Sequence, residues 1–256
     1  MKNLFFAALL TAGLFARPAL AQDVVFLGEI HDNPHHHAVQ AARVADLVPT
    51  AIVFEMLTAD QAALITPALR ADPVALAKAL NWQDSGWPDF AMYYPIFTAS
   101  DARIYGAAVP REAAHRTMSE GLETAFGADS ARFGLDQALP QPEQSAREAL
   151  QAEAHCNALP ENMLAPMVDI QRLRDAVLAR TVIEALDETG GPVAVITGNG
   201  HARLDWGAPA ILAHAAPEIE MHVLGQTEED ASLQGVFDEV LSSPRHDRPD
   251  PCLAFQ

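Results

Sequence analysis

Short, unbroken apolar runs alternate along this chain with longer amphipathic stretches. Val24 to Leu27 stops at Gly28, and Ala51 to Phe54 stops at Glu55 and Met56. Residues 103 to 109 form a third run, and Val193 to Ile196 a fourth that stops at Thr197 and Gly198. Runs of this length, rich in strand formers and lacking polar alternation, are the pattern of strands buried on both faces of a parallel sheet. A fifth strand is predicted at 220 to 224 and an edge strand at 233 to 240. Between the strands the spacing is helical. A first helix opens with Asn33 as N-cap and Pro34 at its first position, and ends before Pro49. Two helices broken at Asp72-Pro73 are predicted between 58 and 80. From 112 to about 186 the pattern is helical, with breaks near Gly127, Gly134 and Pro140, and includes a long helix after Pro160. The alternation predicts an α/β fold, a largely parallel central sheet flanked by helices, in a single domain.

The strand exits carry the chemistry. In an open α/β sheet ligands bind beyond the carboxyl ends of the strands. The first run leads into Glu29, His31 and Asp32, then into a helix start holding His35, His36 and His37. On an extended segment Glu29 and His31 project to the same side. Protonated imidazoles oppose the positive end of a helix dipole, so the histidine triplet does not serve helix stability. Glu55 repeats the design at the second strand, Arg111 follows the third, and His201 follows the fourth within Gly198-Asn-Gly-His-Ala-Arg203. Such a set fits a metal site, a cofactor site or an acid/base pair, and spacing does not choose among them. Residues 82 to 95 gather Trp82, Trp87, Tyr93 and Tyr94 in a chain with only 7% aromatics. This stretch reads as an aromatic loop, either a wall for a flat apolar ligand or a plug over the core.

Composition narrows the setting. Lys2, an apolar run from Leu4 to Phe15 and Ala19-Leu20-Ala21 read as a secretory signal peptide over residues 1 to 21, leaving 22 to 256 as the mature domain. Its removal, with Lys2 and Arg17, takes the formal charge from −18 to −20, which argues against nucleic acid as a partner. No later stretch reads as a membrane span. A protein of the periplasm, or secreted, is expected. Cys156 and Cys252 are predicted to pair in that oxidising setting and tie the tail to the middle of the chain.

Five segments resemble the ChaN-like haem-binding uptake proteins of the Tiki superfamily: residues 28 to 36, Phe54-Glu55-Met56, residues 87 to 95, Pro110-Arg111-Glu112 and residues 198 to 203. The resemblance implies a protein that binds haem and takes part in iron uptake. The haem is expected to lie with the aromatic loop 82 to 95 as one wall and the His35 to His37 turn as another; an exposed apolar haem face calls for a homodimer, and a haem-uptake receptor or transporter component is a further expected partner. On chemical grounds Tyr93, in the Tyr-x-Pro element, is the first candidate for the haem iron, because a phenolate favours ferric haem. His36 is the second candidate, with His35, Trp87 and Tyr94 as further haem contacts. Tyr94 stands where a basic residue for a propionate is expected. The wider superfamily implies a rival in which Glu29, His31, Glu55, Arg111 and His201 form a hydrolase centre. That centre would work with a divalent metal ion that activates water, or as an acid/base set without one.

Overall fold

The computed structural model describes residues 22 to 255, so the predicted signal peptide lies outside the described residues. Six strands form one sheet in which every pairing is parallel: β1 (Val24–Glu29), β2 (Ala51–Phe54), β3 (Arg103–Gly106), β4 (Val193–Gly198), β5 (Met221–Glu228) and β6 (Glu239–Ser243). Their order is β3-β2-β4-β1-β5-β6. The predicted α/β architecture is the observed one. All residues of β1, β2 and β4 are buried, as their unbroken apolar sequences require.

The helices are α1 (Pro34–Leu47), α2 (Ala59–Ala63), α3 (Pro67–Arg70), α4 (Pro73–Ala79), α5 (Phe90–Thr98), α6 (Arg111–Glu120), α7 (Leu122–Phe126), α8 (Gln141–Ala154), α9 (Glu161–Thr189) and α10 (Ala208–Ala215). Among the described residues none is long and apolar enough to cross a membrane. Alternate residues of each strand feed two cores. Phe26, Val53, Val195 and Val223 pack with the buried stripe of α9, including Leu173, Ala176 and Val182, and with Leu212 of α10. Leu27, Ile52, Phe54 and Ile196 pack with Val44 of α1 and with Tyr93, Ile96 and Phe97 of α5.

This layering positions the site. β1 and β4 are neighbours, with Glu29 in register with Gly198. Yet the chain leaving β1 enters α1 on one face of the sheet, whereas the chain leaving β4 reaches α10 on the other. A crevice opens where adjacent strands send their connections to opposite faces.

Several boundaries differ from the sequence expectation. The stretch between 58 and 80 forms three helices, because Thr66-Pro67 caps and opens one turn of its own before Asp72-Pro73 starts the next. The predicted loop at 82 to 95 is helical from Phe90, where the Asp89 carboxylate accepts from the Ala91 N–H and Pro95 is accommodated inside α5. The edge strand lies at 239 to 243 rather than 233 to 240. Leu233 and Phe237 instead pack over Gly225 of β5, where a Cβ would meet the Leu233 methyl and the Phe237 ring at under 3 Å. The predicted disulfide between Cys156 and Cys252 is present, with Cα atoms 5.6 Å apart. It anchors a tail in which Arg248 pairs with both Asp32 and Glu228.

Candidate functional site

Asn33 builds the first edge of the site. Its side-chain oxygen caps α1 by accepting from the His35 N–H at 2.9 Å, and its amide donates to Glu228 at 2.8 Å. The turn between Glu29 and Asn33 is thereby fixed, and Glu29, the last residue of β1, is buried at its floor. The Glu29 carboxylate gathers three side chains. Its Oε1 lies 2.7 Å from His31 Nδ1 and accepts from the Tyr93 hydroxyl at 2.6 Å, and Oε2 is 3.3 Å from His37 Nδ1. The other nitrogen of His37 bonds the His31 carbonyl at 2.8 Å. Burial depresses a charged imidazole at position 31, but the hydrogen bond to Glu29 and the nearby Glu55 outweigh it, so the His31 pKa is raised.

A second group sits beyond Gly198. Glu55, one residue past β2, accepts at Oε2 from the Thr197 hydroxyl at 2.6 Å and from the Gly198 N–H at 2.8 Å. Its Oε1 faces His201 Nε2 at 3.7 Å, and His201 Nδ1 bonds Asp175 of α9 at 2.7 Å. Burial raises the Glu55 pKa, but His201, His31 and the two hydrogen bonds prevail and hold it at about 2. Burial likewise opposes a charged His201, whereas Glu55 and Asp175 lift its pKa to about 9. Gly198 is required by close approach, since a Cβ there would lie 2.8 Å from His31 Nε2 and 3.8 Å from Glu55 Oε2. The result is two imidazole–carboxylate pairs at the switch point, with the Glu55 carboxylate between His31 and His201. Such an arrangement can hold and pass protons.

The aromatic stretch has two faces. Tyr93 is fully buried, its ring against His37 at 4.2 Å and Trp82 at 5.0 Å. Burial and the Glu29 carboxylate push its phenol pKa far up. Tyr94 is half-buried and lines an open-sided cavity of about 800 Å³ with Trp82, Trp87, Phe90, Val74 and Lys78. Trp87 joins the two regions, edge-on to His31 at 4.9 Å.

The family model described as haem-binding uptake, Tiki superfamily, ChaN, matches residues 15 to 212. The chain belongs to that family. Among solved structures, one described as cofacial haem binding to ChaN of Campylobacter jejuni is similar to it with a TM-score of 0.60. Identity there is 19%, over 82% of this chain and 84% of that one. At that identity the likeness speaks to the fold. The type III effector HopBA1 follows at a TM-score of 0.47 and 11% identity, over 87% of this chain and 88% of that one. A Bacillus cereus protein gives 0.40 and 16%, over 81% of this chain and 66% of that one. A search of curated proteins finds no match to the chain.

Within this ChaN-family chain the structure brings together Glu29, His31, Glu55 and His201, and leaves Arg111 outside, exposed at the first position of α6. His35 is exposed, whereas His36 is buried with Nδ1 accepting from the Ile30 N–H at 2.9 Å and Nε2 near the Thr227 carbonyl. None of His35, His36 and His37 lines the aromatic cavity. At the switch point Glu29 Oε1, His31 Nδ1, Glu55 Oε2 and His201 Nδ1 are hydrogen-bonded, whereas Glu29 Oε2 and His37 Nδ1 make no hydrogen bond. Among the described residues no group of three or more His, Cys, Asp or Glu is placed to hold a metal ion. Asp175 was not singled out from the sequence: it lies inside a long helix of ordinary composition, and no local spacing links it to His201.

Proposed function

We propose that the protein binds haem in the cavity lined by Trp82, Trp87, Phe90 and Tyr94, and serves haem-iron uptake in the periplasm. The observation that carries this reading is the cavity itself, whose size of about 800 Å³ and aromatic lining suit a flat, apolar cofactor. Haem would supply a ferric centre open to an oxygen ligand. In this reading Trp87 and Tyr94 lie against the macrocycle, and Lys78, on the same rim, takes the propionate role that the resemblance leads one to expect of a basic residue at 94. The Tyr94 hydroxyl, now donating to the Arg70 carbonyl at 3.2 Å, is the phenol nearest such a ligand. Tyr93 becomes an iron ligand only if α5 turns and gives up its bond to Glu29. The cavity is open-sided, and a second copy of the chain would cover the exposed haem face. A receptor or transporter component would then exchange the haem.

Hemin titration followed through the Soret and charge-transfer bands tests the reading. Saturable binding that is weakened in Trp87→Ala, with phenolate bands lost in Tyr94→Phe and kept in Tyr93→Phe, is the expected result. Loss of the bands in Tyr93→Phe alone would return the ligand to Tyr93, and absence of saturable binding would sink the haem reading.

A second reading rests on a specific observation, the Asp175–His201–Glu55 chain of contacts beside Glu29 and His31. In it His201, positioned by Asp175, exchanges a proton with a substrate, and Glu55 or the Glu29–His31 pair takes or returns it. The donors do not fit a metal ion, so no role is assigned to one. Turnover of a panel of activated esters that disappears in both His201→Gln and Glu55→Gln supports this reading; activity unaffected by both variants removes it.

A further inference from the structure

The family motif at 198 to 203 ends in an arginine that neither reading above uses. Arg203 lines a cavity of about 220 Å³ between α8, α9 and the segment after β4, together with Arg147, Trp206, Leu150, Val168 and His201. The chain is strongly acidic, with only 16 lysines and arginines against 34 acids. Two guanidiniums and an imidazole therefore line one small cavity in an otherwise acidic chain, with Asp175 in the same wall. All three side chains are largely withdrawn from water, with 13% of Arg147, 9% of Arg203 and 11% of His201 exposed. Burying cations is costly unless they are paired.

Each arginine has one carboxylate partner, and the pairing leaves capacity over; His201 is taken up by Asp175 and Glu55. Arg203 holds Asp205 through Nε at 2.8 Å and Nη2 at 2.5 Å, and Arg147 holds Glu143 through Nε and Nη2. Among the described residues Nη1 of neither arginine donates a hydrogen bond. Both guanidiniums lie over the Trp206 ring, Arg203 at 3.6 Å and Arg147 at 5.0 Å. Arginines held over a ring and tied through two N–H groups lose little further freedom when they bind an anion. Leu150, Ala154, Val168 and the indole give the wall an apolar part, beside Gln151, Gln171 and Asp175, that suits the body of an organic molecule better than a hydrated inorganic ion.

We propose that this cavity binds a small organic carboxylate, its anionic head taken by Arg147 and Arg203 and its apolar body seated on Trp206, Leu150 and Val168. Its volume is too small for the flat cofactor assigned to the aromatic cavity, and the proposal stands whether or not haem binds there. The occupant lies beside His201 and Asp175, which form part of the same wall.

The test is NMR of the ¹⁵N-labelled protein titrated with hexanoate, with its neutral counterpart hexanamide, and with inorganic phosphate. Hexanoate is expected to move the Trp206 indole N–H saturably while the Trp82 and Trp87 indoles stay in place. Hexanamide is expected to bind at least about tenfold more weakly, since a charge-assisted contact is worth about that factor or more. Arg203→Gln and Arg147→Gln should each weaken hexanoate by a similar factor. The comparison of hexanoate with hexanamide uses the wild-type protein and survives failure of either variant to fold. Equal binding of hexanamide, binding of phosphate but not hexanoate, or no saturable movement of Trp206 would each overturn the proposal.

Discussion

Replacing Asp175 with Asn keeps an oxygen where His201 Nδ1 is bonded and removes one negative charge. In the native protein burial disfavours the charged imidazole, yet Glu55 and Asp175 together hold its pKa at about 9 against an ordinary 6.5. Glu55 remains 3.7 Å from Nε2 in the variant, so part of the support survives. An opposite charge at hydrogen-bonding distance moves a pKa by about one to three pH units. With Glu55 retained, the His201 pKa should fall by about one to two, to roughly 7 to 8. NMR titration of the imidazole C–H resonances measures it directly.

Stability gives a second readout. The folded-state pKa of His201 lies above its unfolded value. Its stabilisation is therefore complete below about pH 6.5 and is lost as the pH rises through about 9, amounting to about 3 kcal/mol at most. In Asp175→Asn this loss should begin at lower pH, so urea melts at pH 6 and pH 9.5 should differ less than in the wild type. An unchanged His201 pKa in the variant would refute the assignment of Asp175 as a group that, with Glu55, holds its charge.

The acid side carries the opposite sign. Glu55 has a folded pKa of about 2 against 4.5, so its contribution is present above pH 4.5 and lost as the pH falls through about 2; Glu55→Gln should flatten that limb of the stability curve in denaturant melts. Tyr93→Phe removes a buried hydrogen bond to a carboxylate and should cost about 1.5–3 kcal/mol in urea unfolding; no loss would mean that the hydroxyl is not committed to Glu29. Cys156→Ser opens a link spanning 96 residues, for which loop entropy predicts a loss of about 4–5 kcal/mol, reproduced in the wild type by reductant. Gly198→Ala places a methyl 2.8 Å from His31 Nε2 and should displace that ring from Glu29 at a cost of about 1–3 kcal/mol, seen as a lowered His31 pKa by NMR.

The sequence by itself determined the sheet and the polar exits of its strands. Val24 to Leu27, Ala51 to Phe54 and Val193 to Ile196 are buried runs whatever surrounds them, and the residues that end them must stand at one edge once the strands are parallel. That is why Glu29, Glu55 and His201 were legible before any contact was known. Pairing of Cys156 with Cys252 was legible too, from their number and the expected compartment. Tertiary structure alone decided which side chains turn inward. Tyr93 and Tyr94 are adjacent and chemically alike, and the phase of α5, set by Phe97 stacked on Phe54 at 4.4 Å, sends one to Glu29 and the other to the open cavity. The same phase effect in α1 buries His36 and His37 and exposes His35. Asp175 reaches His201 only because α9 packs across the sheet beside β4, a contact between elements that no local pattern encodes.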